Sequence, residues 1–311
     1  MGSAKSTDQP AEPRVALGMG LRLISALALA LMFAGVKWVG QRGAGVAETL
    51  FYRQIGSVVC AATFVALGPG FGSLRTKRFP AHAIRMAIGV VAMLLNFLMV
   101  TLLPLAEATA IGFSVPIFAT LLAAIVLREP TGKWRWGAVI VGFLGVLVIV
   151  QPGGGHISGY GGLVALGAVV STACATIAIR HLGATEAVAT TVFWFGLTSL
   201  VPLGLAMPFV GHTHSAGTFA AIAGLSLAGG IAQLALTGAL RLAPVALVMP
   251  MDYSALVWAS LLGLLLFGQG PSHWTWIGAP IVMAAGLVIL WREHRLRIAG
   301  SALAAVPEVP E

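Results

Sequence analysis

Two ionisable residues lie well inside long apolar stretches of this sequence, where charged side chains are unusual. Asp252 is about nine residues into its stretch, a depth of about 13 Å if the stretch is helical. Arg53 lies about six residues into another stretch, beside Gln54. Because a charge in such a segment is costly, each is a functional candidate by default.

Each of these charges has a functional and a structural interpretation. The Asp252 carboxylate could accept a proton or hold the ammonium group of a ligand, or it could be a structural acid with a basic or hydroxyl partner. The Arg53 guanidinium could clamp a carboxylate through two parallel hydrogen bonds. It could equally pair with Glu107 or extend towards the membrane surface. The residues alone leave these alternatives open.

Further polar and aromatic side chains in the apolar stretches could line a mostly apolar cavity with a few directional groups. They are Gln54, Asn96, Trp194, Gln233 and Tyr253. Each such residue taken alone is more often a packing or interhelical contact. Pro116 and Pro250 interrupt two apolar stretches and are candidate hinges, since a proline frees a carbonyl and kinks a helix.

Composition defines the class of protein to which these residues belong. Of 311 residues, 58% are hydrophobic and 9% charged, against roughly 25% charged residues in soluble domains. A soluble enzyme and a nucleic-acid-binding protein are therefore excluded, despite the net charge of +8. A helix needs about 20 apolar residues to cross a bilayer. Ten such stretches lie at roughly 15–37, 47–67, 83–102, 105–127, 135–150, 159–179, 187–208, 216–240, 243–267 and 274–291.

The sequence thus predicts an all-α membrane protein with ten transmembrane helices, since lipid leaves no water to satisfy open backbone groups. Assigned to alternate sides, 15 of the 18 Lys and Arg residues fall on the side of the N-terminus. That bias predicts cytoplasmic tails over 1–14 and 293–311, and location in the cell's inner membrane. Arg22 and Arg85 are counted on the cytoplasmic side.

The chain also repeats itself at an offset of 140 residues. Trp134 and Trp136 recur as Trp274 and Trp276, and Glu129 recurs as Gln269. The offset predicts two units, 15–151 and 152–292, of five helices each. Because five is odd, the second unit is inverted, a plan typical of secondary transporters with a site at the repeat interface.

Several segments resemble the EamA-type members of the drug/metabolite transporter superfamily. They are AEATA (106–110), SVP (114–116), LREP (127–130), ETLFYRQIGS (48–57) and MPMDYSALVWASLLGLLLFGQ (249–269). The sequence departs from the family at Gln269, where Glu is usual. The resemblance implies a carrier of two inverted five-helix repeats, most similar to YddG-type exporters of amino acids and related metabolites.

We therefore expect a secondary transporter that exports amino acids, including aromatic ones, by alternating access. The alternative is an uptake carrier for S-adenosylmethionine, riboflavin or a similar metabolite. A lipid scramblase or channel is the alternative of a different class, and a membrane enzyme is disfavoured because Asp252 stands alone at depth. The expected partners are a small-molecule substrate and the bilayer, without nucleic acid, metal or cofactor, and the expected state is a monomer.

Overall fold

The computed structural model describes residues 12–68, 70–126, 133–151, 157–183, 186, 188–243 and 245–304. Throughout these ranges the regular structure is helical, with twelve α-helices, two 3-10 helices and no strand. Ten helical segments are long and apolar enough to cross a membrane. The predicted all-α architecture with ten spans is confirmed.

In chain order the α-helices are α1 (Glu12–Gly40), α2 (Val46–Leu67), α3 (Phe79–Leu102), α4 (Leu105–Gly112), α5 (Val115–Val126), α6 (Lys133–Val150), α7 (Gly159–Gly183), α8 (Val188–Val210), α9 (Ala216–Leu242), α10 (Val245–Val248), α11 (Ser254–Phe267) and α12 (His273–Ala304). The 3-10 helices are Phe71–Leu74 and Met249–Tyr253. Together α4 and α5 form the fourth span. The ninth span, Pro250–Phe267, takes in the second 3-10 helix and α11, and the short α10 directly precedes it.

The fourth and ninth spans are broken near their prolines. The fourth is interrupted at Phe113 and Ser114, and Pro116 follows in the first turn of α5, where the missing proline N–H has no helical partner to lose. In the ninth span Pro250 lies in the 3-10 segment between α10 and α11. Their use as hinges stays a prediction.

The contacts between helices have the symmetry of two inverted repeats, in which each of α1–α6 corresponds to the helix six places later. Helix α1 packs on α9 as α7 packs on α3, and α2 packs on α9 as α8 packs on α3. The contact of α1 with α11 is matched by that of α7 with α5, while α2 with α8 and α6 with α12 are self-matching. Exchanging the repeats leaves this pattern of contacts unchanged.

The interface of α6 with α12 shows the same symmetry at single residues. A Cβ added to Gly142 would lie 3.0 Å from the Cβ of Ala285, and one added to Gly145 would lie 2.9 Å from Cγ2 of Val282. At the offset of 140, Gly142 corresponds to Val282 and Gly145 to Ala285. Exchanging the two repeats therefore converts each of these contacts into the other. The small residues at both places let the helices approach closely.

Candidate functional site

The two broken spans meet through residues that correspond at the offset of 140. The rings of Phe113 and Tyr253 pack edge to face, with centroids 5.0 Å apart and an interplanar angle of 84°. The Tyr253 hydroxyl donates to the carbonyl oxygen of Met283 on α12 at 3.1 Å. A Cβ on Gly286 would lie 2.9 Å from that hydroxyl, so the glycine makes room for it. The breaks thus form one joint between the repeats.

Matched serine hydrogen bonds accompany the two breaks. The Ser114 hydroxyl donates to the carbonyl of Ile111 at 2.6 Å, and the Ser254 hydroxyl donates to the carbonyl of Met251 at 2.7 Å. Ser114 and Ser254, like Ile111 and Met251, are 140 residues apart. These bonds satisfy carbonyls near each interruption in a region without water.

Asp252 does not stand alone, contrary to the sequence-based expectation. Nε of Arg22 donates to its carboxylate. Nη1 of Arg22 also donates to the Ser25 hydroxyl at 3.2 Å, and Ser25 donates to the carbonyl of Ala232 at 2.7 Å. Arg22, which the charge count assigned to the cytoplasmic side, lies within span 14–40. The pair connects α1 to the break in the ninth span, as the structural interpretation of Asp252 requires.

Arg53 and Gln54 form a polar cluster between α2, α3 and α8. Nη1 of Arg53 donates to Oε1 of Gln54 at 2.5 Å and lies 3.8 Å from Sδ of Met93. Gln54, which is fully buried, donates to the hydroxyl of Ser199 at 2.5 Å. Arg53 thus contacts Gln54 and Met93 in place of the Glu107 partner that the sequence allowed.

The remaining predicted site residues lie at separate places. Asn96 donates to the hydroxyl of Thr172 at 2.8 Å and so links α3 to α7. The indole N–H of Trp194 donates to the carbonyl of Leu74 at 2.8 Å, at the 3-10 helix that follows α2. Gln233 lines a narrow cavity between α2, α8 and α9, with room for only about two water molecules. The hydrogen bonds of Asn96 and Trp194 thus connect other helices than those joined by the Arg22–Asp252 pair.

Sequence reasoning missed Arg85, which it assigned to the cytoplasmic side. Helix α3 begins at Phe79, before the apolar stretch does, with Pro80 in its first turn. Arg85, which already falls in the predicted stretch 83–102, therefore lies well inside α3 and not at its end; it is buried, and its guanidinium carbon lies 3.9 Å from the centre of the Phe195 ring. A proline shortly before the apolar run was the available sign of an earlier helix start.

Two buried carboxylates join loops to helices at the ends of spans. Glu107 of α4 accepts from the backbone N–H of Ser272 at 2.8 Å and from the Thr275 hydroxyl at 3.2 Å. Glu48 of α2 lies 3.1 Å from Nε2 of His214 in the connection between α8 and α9. Among the described residues no group of three His, Cys, Asp or Glu side chains could hold a metal ion.

An architecture of ten spans, with inverted repeats joined at paired broken helices, defines a membrane protein of the transporter class. Residues 16–151 match the EamA-like transporter family.

Relatives resemble the chain over most of its length. A riboflavin transporter of Rhizobium johnstonii is 28% identical over 303 residues, covering 95% of this chain and 98% of the relative. A riboflavin transporter of Vibrio cholerae is 27% identical, covering 72% and 76%. An S-adenosylmethionine uptake transporter of Rickettsia prowazekii is 26% identical, covering 80% and 84%. A crystal structure of a protein with 20% identity and a TM-score of 0.59, covering 89% and 98%, has the same fold.

These similarities support a membrane transporter of small metabolites of the EamA-like kind, and the named relatives are transporters rather than enzymes. They correct one expectation from the sequence. These relatives transport riboflavin and S-adenosylmethionine, so the expected closer likeness to YddG-type amino-acid exporters is not supported.

Proposed function

We propose that this protein is a secondary carrier that takes up a cofactor-sized metabolite of the riboflavin or S-adenosylmethionine kind by alternating access. The similarity to a riboflavin transporter over 95% of the chain carries the proposal. The fold supports it, because the two breaks are related by the repeat and meet at Phe113 and Tyr253. A joint of this kind lets two rigid units rock about a shared centre.

In the proposed carrier, the hydrogen bonds and the ion pair described above break and re-form as the protein changes conformation. Glu107 holds the beginning of α12, and Glu48 holds the connection between α8 and α9. Arg22 and Asp252 tie α1 to the break in the ninth span. In the proposed cycle the contacts of Glu107 and Glu48 break when the carrier opens at one surface of the membrane. The Arg22–Asp252 pair breaks when the carrier opens at the opposite surface.

Uptake into proteoliposomes tests the choice of substrate. Radiolabelled riboflavin, S-adenosylmethionine and tryptophan are offered separately to vesicles that contain the purified full chain. We expect saturable uptake of riboflavin or S-adenosylmethionine and background uptake of tryptophan. Saturable uptake of tryptophan alone would favour the amino-acid carrier and contradict the proposal. Protein-free vesicles and the exposed substitution Gln269→Ala serve as controls.

We also propose that the protein lies in the inner membrane with both termini in the cytoplasm, as the charge distribution predicts. A background without Cys60 and Cys174 receives a single cysteine, either His212→Cys or Lys77→Cys, both at exposed positions. A membrane-impermeant maleimide added to intact cells should label the first protein and spare the second until the cells are opened. The reverse pattern would invert the topology.

Arg53→Lys should weaken the transport of substrates that carry a carboxylate. Lysine keeps the charge but loses the planar fork that can hold Gln54 and a carboxylate together. We expect transport per folded molecule to fall by about tenfold, which corresponds to the loss of one charged hydrogen bond. Uptake is divided by the amount of monodisperse protein after size-exclusion chromatography. An equal fall in folded protein and transport would mean that Arg53 is structural.

A further inference from the structure

Two arginines converge inside the membrane-spanning region, one from α2 and one from α3. Arg53 reaches Met93 on α3, and Met93 lies on the same face as Gly89 and Arg85, at intervals of four residues. The Arg85 guanidinium lies against Gly89, and the Arg53 guanidinium lies against Met93, one helical turn further along the same face of α3. The structure therefore places two like charges together where water is scarce.

Much of the hydrogen-bonding capacity of these guanidinium groups is unused. Nε of Arg53 and both Nε and Nη1 of Arg85 are buried without a hydrogen-bond partner. Arg85 has 9% of its surface exposed. No carboxylate of the described residues forms an ion pair with either arginine. An arginine has five N–H donors and no acceptor, so these donors require an acceptor from elsewhere.

The surroundings of Arg85 hold its guanidinium in place. A Cβ on Gly89 would lie 2.8 Å from Nη1 of Arg85 and 2.6 Å from Cε2 of Phe195. The guanidinium thus lies between the bare backbone of Gly89 and the Phe195 ring, and it is not extended to a membrane surface. One turn earlier, both ring nitrogens of the fully buried His82 also have no partner.

We propose that Arg53 and Arg85 together bind an anionic group of the transported metabolite, a carboxylate or a phosphate, an inference that rests on the proposed carrier function. Buried charge is stable when it is paired and hydrogen-bonded. The arginine fork matches the geometry of both anions. The site then selects between the substrates of the relatives. S-adenosylmethionine carries a carboxylate, whereas riboflavin is uncharged at neutral pH and acquires an anionic group only as its 5′-phosphate.

Two matched pairs of probes test this site on the purified full chain by calorimetric titration. S-adenosylmethionine is compared with its decarboxylated analogue, and riboflavin 5′-phosphate with riboflavin. In the pair that binds, we expect the anionic member to bind about ten- to a hundredfold more tightly. Preference within the first pair identifies a carboxylate and within the second a phosphate. Equal affinities within a pair that binds would overturn the proposal.

The Arg85→Met variant tests whether the preference for the anionic probe comes from this pair of arginines. It should reduce the affinity for the anionic member to that of its neutral partner. Arg42→Met, the same substitution at an exposed arginine, should leave the preference unchanged. An unchanged preference for the anionic member would contradict the proposal. Arg85→Lys, which keeps the charge without the fork, replaces Arg85→Met if the latter does not fold and should reduce the preference.

The anion site and the carrier proposal can fail separately. If no organic probe binds, the wild type and Arg85→Met are heated with inorganic phosphate. Stabilisation of the wild type alone would keep the anion site and reject the proposed substrates. If organic probes bind without regard to charge, the proposed substrates stand and the anion site is rejected. The absence of stabilisation by phosphate in both proteins would reject the anion site as well.

Discussion

Replacing Glu107 by alanine should lower the stability of the folded protein by about 3 kcal/mol, the scale for breaking a buried, hydrogen-bonded charge cluster. Glu107 is fully buried and accepts from Ser272 and Thr275, where α12 begins. The positive end of that helix dipole favours a carboxylate there. Lys37, which is also buried, donates to the carbonyl of Leu103 at 2.5 Å, just before the helix that carries Glu107. Alanine would leave the Ser272 N–H and the Thr275 hydroxyl without this acceptor.

The measurement is the melting temperature of detergent-solubilised protein by fluorescence-detected size-exclusion chromatography. Glu107→Gln keeps an acceptor for Ser272 and should lose less than Glu107→Ala. Gln269→Ala is the control, because Gln269 is exposed and occupies the position that corresponds to Glu129. A Glu107→Ala protein that melts like the wild type would show that this buried contact does not hold the end of α12.

Breaking the Arg22–Asp252 pair from either side should destabilise the protein by about 2 kcal/mol, below the 3–5 kcal/mol of a fully buried pair. The reduction reflects partial exposure, since the two side chains are 11% and 29% accessible. Asp252→Asn leaves Arg22 without its counter-charge, and Arg22→Gln leaves the carboxylate alone. The double variant removes both charges and should recover most of the loss. If the loss of stability in the double variant equals the sum of the losses in the two single variants, the Arg22–Asp252 pair contributes no coupling energy.

The same variants separate the remaining roles of Asp252 in transport. Proton coupling predicts that Asp252→Asn abolishes accumulation against a gradient while substrate exchange survives. Binding of a substrate ammonium predicts that exchange fails as well, with a weaker apparent affinity. A double variant with both activities at the wild-type level would leave Asp252 a structural partner of Arg22. Accumulation and exchange are measured in the same vesicles, with and without an imposed pH gradient.

Hydropathy and the internal repeat predicted the spans, because both are local properties of the sequence. The contacting residues Phe113 and Tyr253 are also separated by 140 residues, although the repeat was recognised from tryptophans elsewhere. Pro116 and Pro250 marked the broken spans for the same reason, since proline acts on the backbone next to it.

Partners far apart in sequence could not be predicted in this way. Arg22 lies 230 residues from Asp252, and nothing in either stretch indicates that they meet. The charge count assigned Arg22 and Arg85 to the cytoplasmic side, although both fall within predicted stretches, because such a count assigns each basic residue to the nearer end of its stretch. Helix α3 begins at Phe79, before its apolar residues do, so Arg85 lies well inside the helix and not at its end.

The expected likeness to amino-acid exporters is not supported by the relatives, for a different reason. The segments that carry the family resemblance include the two breaks and their serines, Ser114 and Ser254. These residues build the joint between the repeats, which carriers of different substrates can share. Arg85 lies outside those segments, so the resemblance gave no reason to consider it.

Counterflow in proteoliposomes tests the carrier account most directly. Vesicles that contain the protein are loaded with unlabelled S-adenosylmethionine or riboflavin and diluted into a trace of the same labelled compound. A carrier with alternating access predicts a transient accumulation of label above the outside concentration, which disappears when the vesicles are not preloaded. Label that only equilibrates, at a rate that rises linearly with concentration, would show a channel and contradict the account.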